Sequence, residues 1–279
     1  MRSRIYAGLV VDESGDADER PPLVLLHGLT FDRTMWRPAL TELEVLEPGR
    51  QVLAIDLPGH GESPDATSYS MDIIVERVHA AVLEADLDRP VVVGHSVSAV
   101  TASMYAAQHL TRGVVTVEGS LRVAGFARML QSLEPVLRGP GFAEAWSRIA
   151  ANVFRLDEVS PDVRDFVVAT SRPRQEIELG YWQDLFERAP NDLDAWIDRG
   201  AAAIRSAGIS YVAVLGAEPG GEALAWMTAN LPAARSEVWP RSGHFPHLAH
   251  PRRFAQLLAT THDWDSSPRP RPSEALSVG

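Results

Sequence analysis

The sequence predicts an α/β protein, with a mostly parallel central sheet flanked by helices and a helical cap insertion. Short β-branched runs alternate with stretches of helical periodicity, the mark of strands joined by crossover helices. Those runs are apolar on both faces, as strands buried between two helical layers must be. From about Ser120 to Gly208 the strand runs cease and only helical stretches continue, so the sheet is interrupted and then resumed.

In chain order, Met1–Arg4 is basic and Ile5–Val11 apolar, a weak mimic of a secretion signal. Asp12 and Glu13 follow at once with no small-residue cleavage site, and an opening strand explains the run better. Leu23–Leu26, Val52–Ile55, Val91–Val93, Val114–Val117 and Tyr211–Leu215 are the core strands, with a further candidate at Ser236–Trp239. Met71, Ile74, Val75, Val78 and Val82 recur at helical spacing, with Glu76, Arg77 and Glu84 opposite. Pro90 closes that unit before the next strand. The expected organisation is a core from 1–119 and 209–265, a cap from 120–208, and a proline-rich, disordered tail from 266–279.

Composition removes whole chemistries. The 279 residues contain no cysteine, which excludes a thiolate nucleophile, a disulfide framework and sulfur-ligated zinc. All 26 basic residues are arginine, so a Schiff base, a P-loop lysine and a Ser–Lys dyad are excluded too. Serine, threonine or a carboxylate is left as nucleophile. The net charge of −11, without a basic patch, argues against a nucleic-acid partner. The longest apolar runs fall far short of the ~20 residues of a membrane span, and the chain is expected to be cytoplasmic.

The segment that carries chemistry is Val91-Val92-Val93-Gly94-His95-Ser96-Val97-Ser98-Ala99, a buried strand running into a small-residue helix. A serine at such a junction sits on a sharp turn that lifts its hydroxyl to the carboxyl end of the sheet. Small neighbours two residues away let strand and helix backbones approach; here they are Gly94 and Ser98, where the usual pattern has glycine at both. His27-Gly28-Leu29 follows the preceding parallel strand, where an oxyanion would need a backbone donor, so the amides of Leu29 and Val97 are the candidate pair. Asp56 to Ser63 forms a tight glycine turn, and its G-x-G is not a dinucleotide loop, because Pro64 replaces the third glycine. Ser242-Gly243-His244-Phe245-Pro246-His247 follows the last strand candidate.

On these motifs the chain resembles the α/β-hydrolase fold superfamily over roughly residues 5–262, in which nucleophile, acid and histidine occur in that order. The resemblance implies Ser96 as nucleophile and His244 as general base. The acid has two candidate places. After Tyr211–Leu215 the usual register reads Gly216-Ala217-Glu218-Pro219, so proline stands where an aspartate is common, with Glu218 and Glu222 out of step. After Val114–Val117 comes Glu118, a charge ending an apolar strand, which costs free energy unless paired. A histidine partner supplies the reason, so Glu118 is the expected acid and Glu218 the rival. The bland alternative for Glu118 is a solvent-facing strand end or an ion pair with Arg122.

The arrangement is similar to zearalenone-type lactonases, which have a Ser–Glu–His triad and a comparable His-Phe-Pro loop. It also resembles cofactor-independent dioxygenases of the same fold. Haloalkane dehalogenases and epoxide hydrolases use an aspartate nucleophile, which Ser96 excludes. The resemblance therefore implies a serine hydrolase of a small, moderately apolar carboxylic ester or lactone, needing no cofactor and no metal. Cofactor-free oxygenation and non-catalytic ligand binding are the rivals.

Other features have plainer expectations. His244, His247 and His250 are spaced three apart, but Pro246 and Pro251 break regular helix geometry and no carboxylate lies among them, which argues against zinc. His95 is expected to pack beneath the cap. Trp146, Trp182 and Trp196 are each expected to fill the core of the insertion, with a substrate wall as the alternative.

Overall fold

A computed structural model describes residues 1–264; the expected disordered tail lies outside them. The opening run is not one strand but a hairpin, β1 (Arg2–Tyr6) paired antiparallel with β2 (Leu9–Ser14). The turn between them, Ala7-Gly8, has positive φ at both positions, the conformation that matches the twist of a two-residue hairpin.

The remaining strands are parallel. β3 (Leu23–Leu26) leads to α1 (Arg37–Leu46), β4 (Val52–Ile55) to α2 (Met71–Glu84), and β5 (Val91–His95) to α3 (Val97–Gln108). β6 (Gly113–Val117) is followed by six helices: α4 (Ala124–Leu137), α5 (Phe142–Phe154), α6 (Pro161–Thr170), α7 (Gln175–Tyr181), α8 (Gln183–Glu187) and α9 (Pro190–Ser206). β7 (Ser210–Leu215), α10 (Gly221–Asn230), β8 (Arg235–Val238), α11 (Pro246–Ala249) and α12 (Pro251–Ala259) complete the chain. The sheet order is β1-β2-β4-β3-β5-β6-β7-β8.

Every core strand buries both faces. Val24, Leu26, Val92 and Val114 pack with α2 and α3, whereas Leu23, Leu25, Val93 and Val115 pack with Trp36, Trp239 and Phe254 on the other side. At about 1.5–3 kcal/mol for each large apolar side chain removed from water, these two layers dominate the stability. α3 is buried from Ser98 to Ala107 because it lies between the sheet and α9. Close approach there needs Gly200, where an added Cβ would stand 2.6 Å from Met104 Sδ. Helix α9 thus starts among the inserted helices and ends against the core. Among the described residues no helix is long and apolar enough to cross a membrane.

In register, Leu26 pairs with Gly94, His95 with Val117, and Val117 with Val214. The residues following β3, β5, β6 and β7 therefore emerge together at one edge of the sheet.

Candidate active site

Ser96 occupies the turn between β5 and α3 with φ 57° and ψ −121°, a conformation non-glycine residues rarely adopt. Two backbone bonds hold it there: its N–H donates to Val117 O at 2.9 Å, and its carbonyl accepts from Ala99 N at 2.9 Å. Gly94 is dictated by this geometry, since a Cβ would lie 2.0 Å from the carbonyl oxygen of Ser98. Position 98 accepts a hydroxyl because Ser98 Oγ donates to His27 O at 2.6 Å. The serine that replaces the usual glycine thus ties the start of α3 to the end of β3.

The loop after β3 is equally constrained. His27 Nδ1 donates to Gly28 O at 2.8 Å, and its Nε2 accepts from Leu57 N at 3.0 Å, which fixes the tautomer. A Cβ on Gly28 would meet His95 Nδ1 at 2.5 Å and Ser96 Cβ at 3.3 Å, so the backbone passes directly beside the serine. Leu29 and Val97 both line the cavity that holds Ser96. Val97 opens α3, where amides have no intrahelical partner and are suited to an anionic oxygen. The Asp56–Ser63 turn is an anchor: the buried Asp56 carboxylate accepts from Arg33 N at 2.7 Å, Glu62 N at 2.8 Å and the Arg33 guanidinium. Arg33 also donates to Asp12 at 2.9 Å.

Glu118 follows β6 with φ 50°. Its Oε2 lies 3.2 Å from His244 Nδ1 and accepts from Arg155 Nη2 at 2.8 Å, while Oε1 accepts from the Gly216 amide. Burial alone would push this carboxyl up, but His244, the Gly216 amide and Arg155 outweigh it and hold Glu118 below its ordinary range. Arg122 is not the partner; it pairs with Asp194 at 2.7 Å. Glu218 and Glu222 are exposed, and neither bonds to His244. Gly216, the glycine of the commoner acid loop, serves Glu118 instead.

His244 is buried on a turn closed by the bond from Phe245 N to Ser242 O, after which Pro246 starts α11. Its own N–H donates to Phe154 O at 3.1 Å, and its carbonyl accepts from His95 Nε2 at 2.8 Å. Ser96 and His244 line one cavity of about 270 Å³, but no hydrogen bond joins them here. His244 Nε2 is buried without a partner among the described residues. An imidazole held through Nδ1 by a carboxylate, with Nε2 unbonded in a residue that lines the same cavity as Ser96, is an arrangement a general base can use.

All three tryptophans pack in or against the apolar core, as expected, and all three also line the cavity wall with Phe126, Phe154 and Tyr181. Trp146 and Trp182 are buried, with ring centroids 5.7 Å apart. His95 is fully buried beneath the site, and burial holds it well below its ordinary value, so it is neutral and donates through Nε2. His247 is buried between Trp36 and His95 with neither ring nitrogen bonded, and His250 lies beside Trp239. No three metal-ligating side chains converge among the described residues. Sequence reasoning missed Arg155, which carries no local signal because it reaches Glu118 from 37 residues away.

The profile described as the alpha/beta hydrolase family matches residues 23–257. A provisionally named carbamate hydrolase, RutD, from Escherichia coli O7:K1 is 32% identical over 132 residues, covering 46% of this chain and 48% of the relative. The chain thus spans about half the length of the curated relatives it matches. Among solved structures, haloalkane dehalogenase DbeA from Bradyrhizobium elkani superposes with a TM-score of 0.69 at 20% identity, covering 95% of this chain and 99% of that one. An AqdC variant, described for recognition and ring-cleavage of the Pseudomonas quinolone signal, gives a TM-score of 0.69 at 16% identity, covering 94% and 98%. At these identities the structural likeness is one of fold, and the family follows from the match over residues 23–257: this chain belongs to the α/β-hydrolase family.

Proposed function

We propose that this protein is a serine hydrolase that cleaves a carboxylic ester or lactone through an acyl-enzyme. The observation that carries the reading is the Glu118–His244 contact at the rim of the cavity that Ser96 also lines. Ser96 Oγ attacks the substrate carbonyl while His244 Nε2 takes its proton. The C–O bond then breaks as the imidazolium returns that proton to the leaving oxygen, which in a lactone stays tethered to the acyl group. Water deprotonated by the same histidine attacks the acyl-enzyme, and Ser96 leaves with the proton. The amides of Leu29 and Val97 hold the tetrahedral oxyanion, each worth about 10²–10³ in turnover at sites of this type. Glu118 orients His244 and stabilises its protonated form.

Residues 120–208 act as a cap over a core built from the flanking segments. Aromatic walls from Trp146, Trp182 and Trp196 suit a moderately apolar substrate. A carbamate, the substrate class in the name of the RutD relatives, undergoes the same acyl transfer and belongs in the test set. The test is a panel of chromogenic esters, lactones and carbamates of graded size, run on the parent and on Ser96→Ala. Hydrolysis that disappears in the variant is the expected result.

One observation favours a second reading. Nε2 of His244 has no hydrogen-bond partner among the described residues, Ser96 included, as the nitrogen of a base acting directly on a substrate proton would. In a cofactor-independent dioxygenase, His244 and Glu118 deprotonate an N-heteroaromatic substrate that then reacts with oxygen. Oxygen uptake that survives in Ser96→Ala would favour it.

A further inference from the structure

We infer that Arg155, supplied by the inserted helices, is a positioning residue that holds the Glu118 carboxylate for His244 and limits how strongly that carboxylate stabilises the imidazolium. The inference rests on the hydrolase reading above. Arg155 ends α5 in a left-handed conformation, with φ 47° and ψ 52°. One nitrogen, Nη2, donates to Glu118 Oε2 and to Gly243 O, both at 2.8 Å. The first of these is the oxygen that faces His244 Nδ1. A single guanidinium nitrogen therefore ties the inserted helices to the acid and to the residue preceding the histidine.

Backbone contacts fix the same junction. Phe154 O accepts from His244 N, and a Cβ on Gly243 would come within 2.7 Å of both Phe154 O and Arg155 O. The Arg155 side chain is 26% exposed and that of Glu118 is 13% exposed, so solvent screens the pair only partly. Among the other charged groups around the relay, Arg122 and Glu218 line a cavity with Glu118 and Arg155, and Arg122 is paired with Asp194 at 2.7 Å. Glu158 stands 3.8 Å from Arg155 Nη1 on the side away from Glu118's bonded nitrogen, and the Gly216 amide comes from β7. His95 below and His247 on the histidine's own loop are neutral, held low by burial. Arg155 is thus the cation in contact with Glu118 among the described residues.

Two consequences follow with separable signatures. Loss of the Nη2 bond leaves Glu118 less well placed, which lowers kcat and leaves substrate binding in the cavity nearly untouched. Loss of the positive charge returns the full carboxylate field to His244, so the imidazolium persists to higher pH and the acid limb of activity moves up.

The test compares kcat, KM and the pH profile of kcat/KM for the parent, Arg155→Met and Arg155→Lys, with Arg164→Met as a control in the same inserted helices. The Arg164 side chain donates to Leu156 O at 3.0 Å, has no other bond among the described residues, and is exposed. Arg155→Met should lower kcat about 10–100-fold, leave KM within about two-fold, and move the acid limb up. Arg155→Lys should keep the limb in place and recover most of kcat, and Arg164→Met should match the parent. If Arg155→Met melts well below the parent, Arg155→Gln carries the test, with the limb moved up and a smaller loss of kcat. A folded, neutral variant with unchanged kcat and an unchanged limb overturns the inference. So does a lysine variant whose limb moves as far as that of the methionine variant. A parent without Ser96-dependent hydrolysis overturns the reading beneath it, which is a different result.

Discussion

Nδ1 of His244 stands 3.2 Å from Oε2 of Glu118, although 126 residues separate them in the chain. The contact exists because β6 and the histidine loop end at the same sheet edge, and because Glu118, at φ 50°, leaves its strand in a turn. A carboxylate at that place fixes the imidazole tautomer and leaves Nε2 as the nitrogen that can accept a proton.

Glu118→Gln should therefore lower turnover by about 10²–10⁴-fold, as expected when the group that orients a catalytic histidine loses its charge. Glu218→Gln should change it less than about two-fold, since Glu218 is exposed and bonds to nothing at the site. Steady-state kinetics on any substrate found by the panel decides between them.

Acid should unfold the protein early. Burial pushes His60 and His247 down to about 3 from an ordinary 6.5, so between those values the unfolded chain binds protons that the folded chain refuses. Stability is complete above about 6.5, and each such histidine removes about 1.4 kcal/mol per pH unit below it. Glu118, held low, adds a loss at more acid pH, as it is protonated below its ordinary 4.5. Denaturant melts from pH 7.5 to 4.5 should show the decline, and His247→Leu should reduce the slope by about 1.4 kcal/mol per unit. An equal slope in that variant would show that His247 is not buried as a neutral ring.

Ser98→Ala removes the bond to His27 O and leaves that buried carbonyl with one fewer donor. A cost of about 1–3 kcal/mol is expected, read as a lower melting midpoint. Turnover should fall modestly as well, because His27 begins the loop that carries the Leu29 amide.

Gly94→Ala should prevent folding of the elbow altogether, since its Cβ would stand 2.0 Å from a backbone oxygen that cannot retreat. Soluble yield and circular dichroism test it against Gly125→Ala, where an added Cβ meets nothing.

Much of this was legible in the sequence because backbone demands leave local marks. A strand buried on both faces must be apolar throughout, so Leu23–Leu26 and Val52–Ile55 mark their own ends. Ser96 is betrayed by Gly94, and Glu118 by the cost of a charge closing an apolar strand. The opening hairpin was hidden because Ala7-Gly8 interrupts the run by only two residues. The tryptophan wall was hidden for another reason: an apolar helix face has one periodicity whether it meets a core or a cavity. Arg155 left no trace, because its bond to Glu118 exists only once the end of α5 is seated on the histidine turn.

The most direct test of the account is the intact mass of the folded protein after exposure to an organophosphonate at neutral pH, followed by peptide mapping. One stoichiometric adduct is expected on Ser96, absent in Ser96→Ala and formed far more slowly in His244→Ala. A folded parent that takes up no adduct, or labels equally fast without His244, would contradict the account.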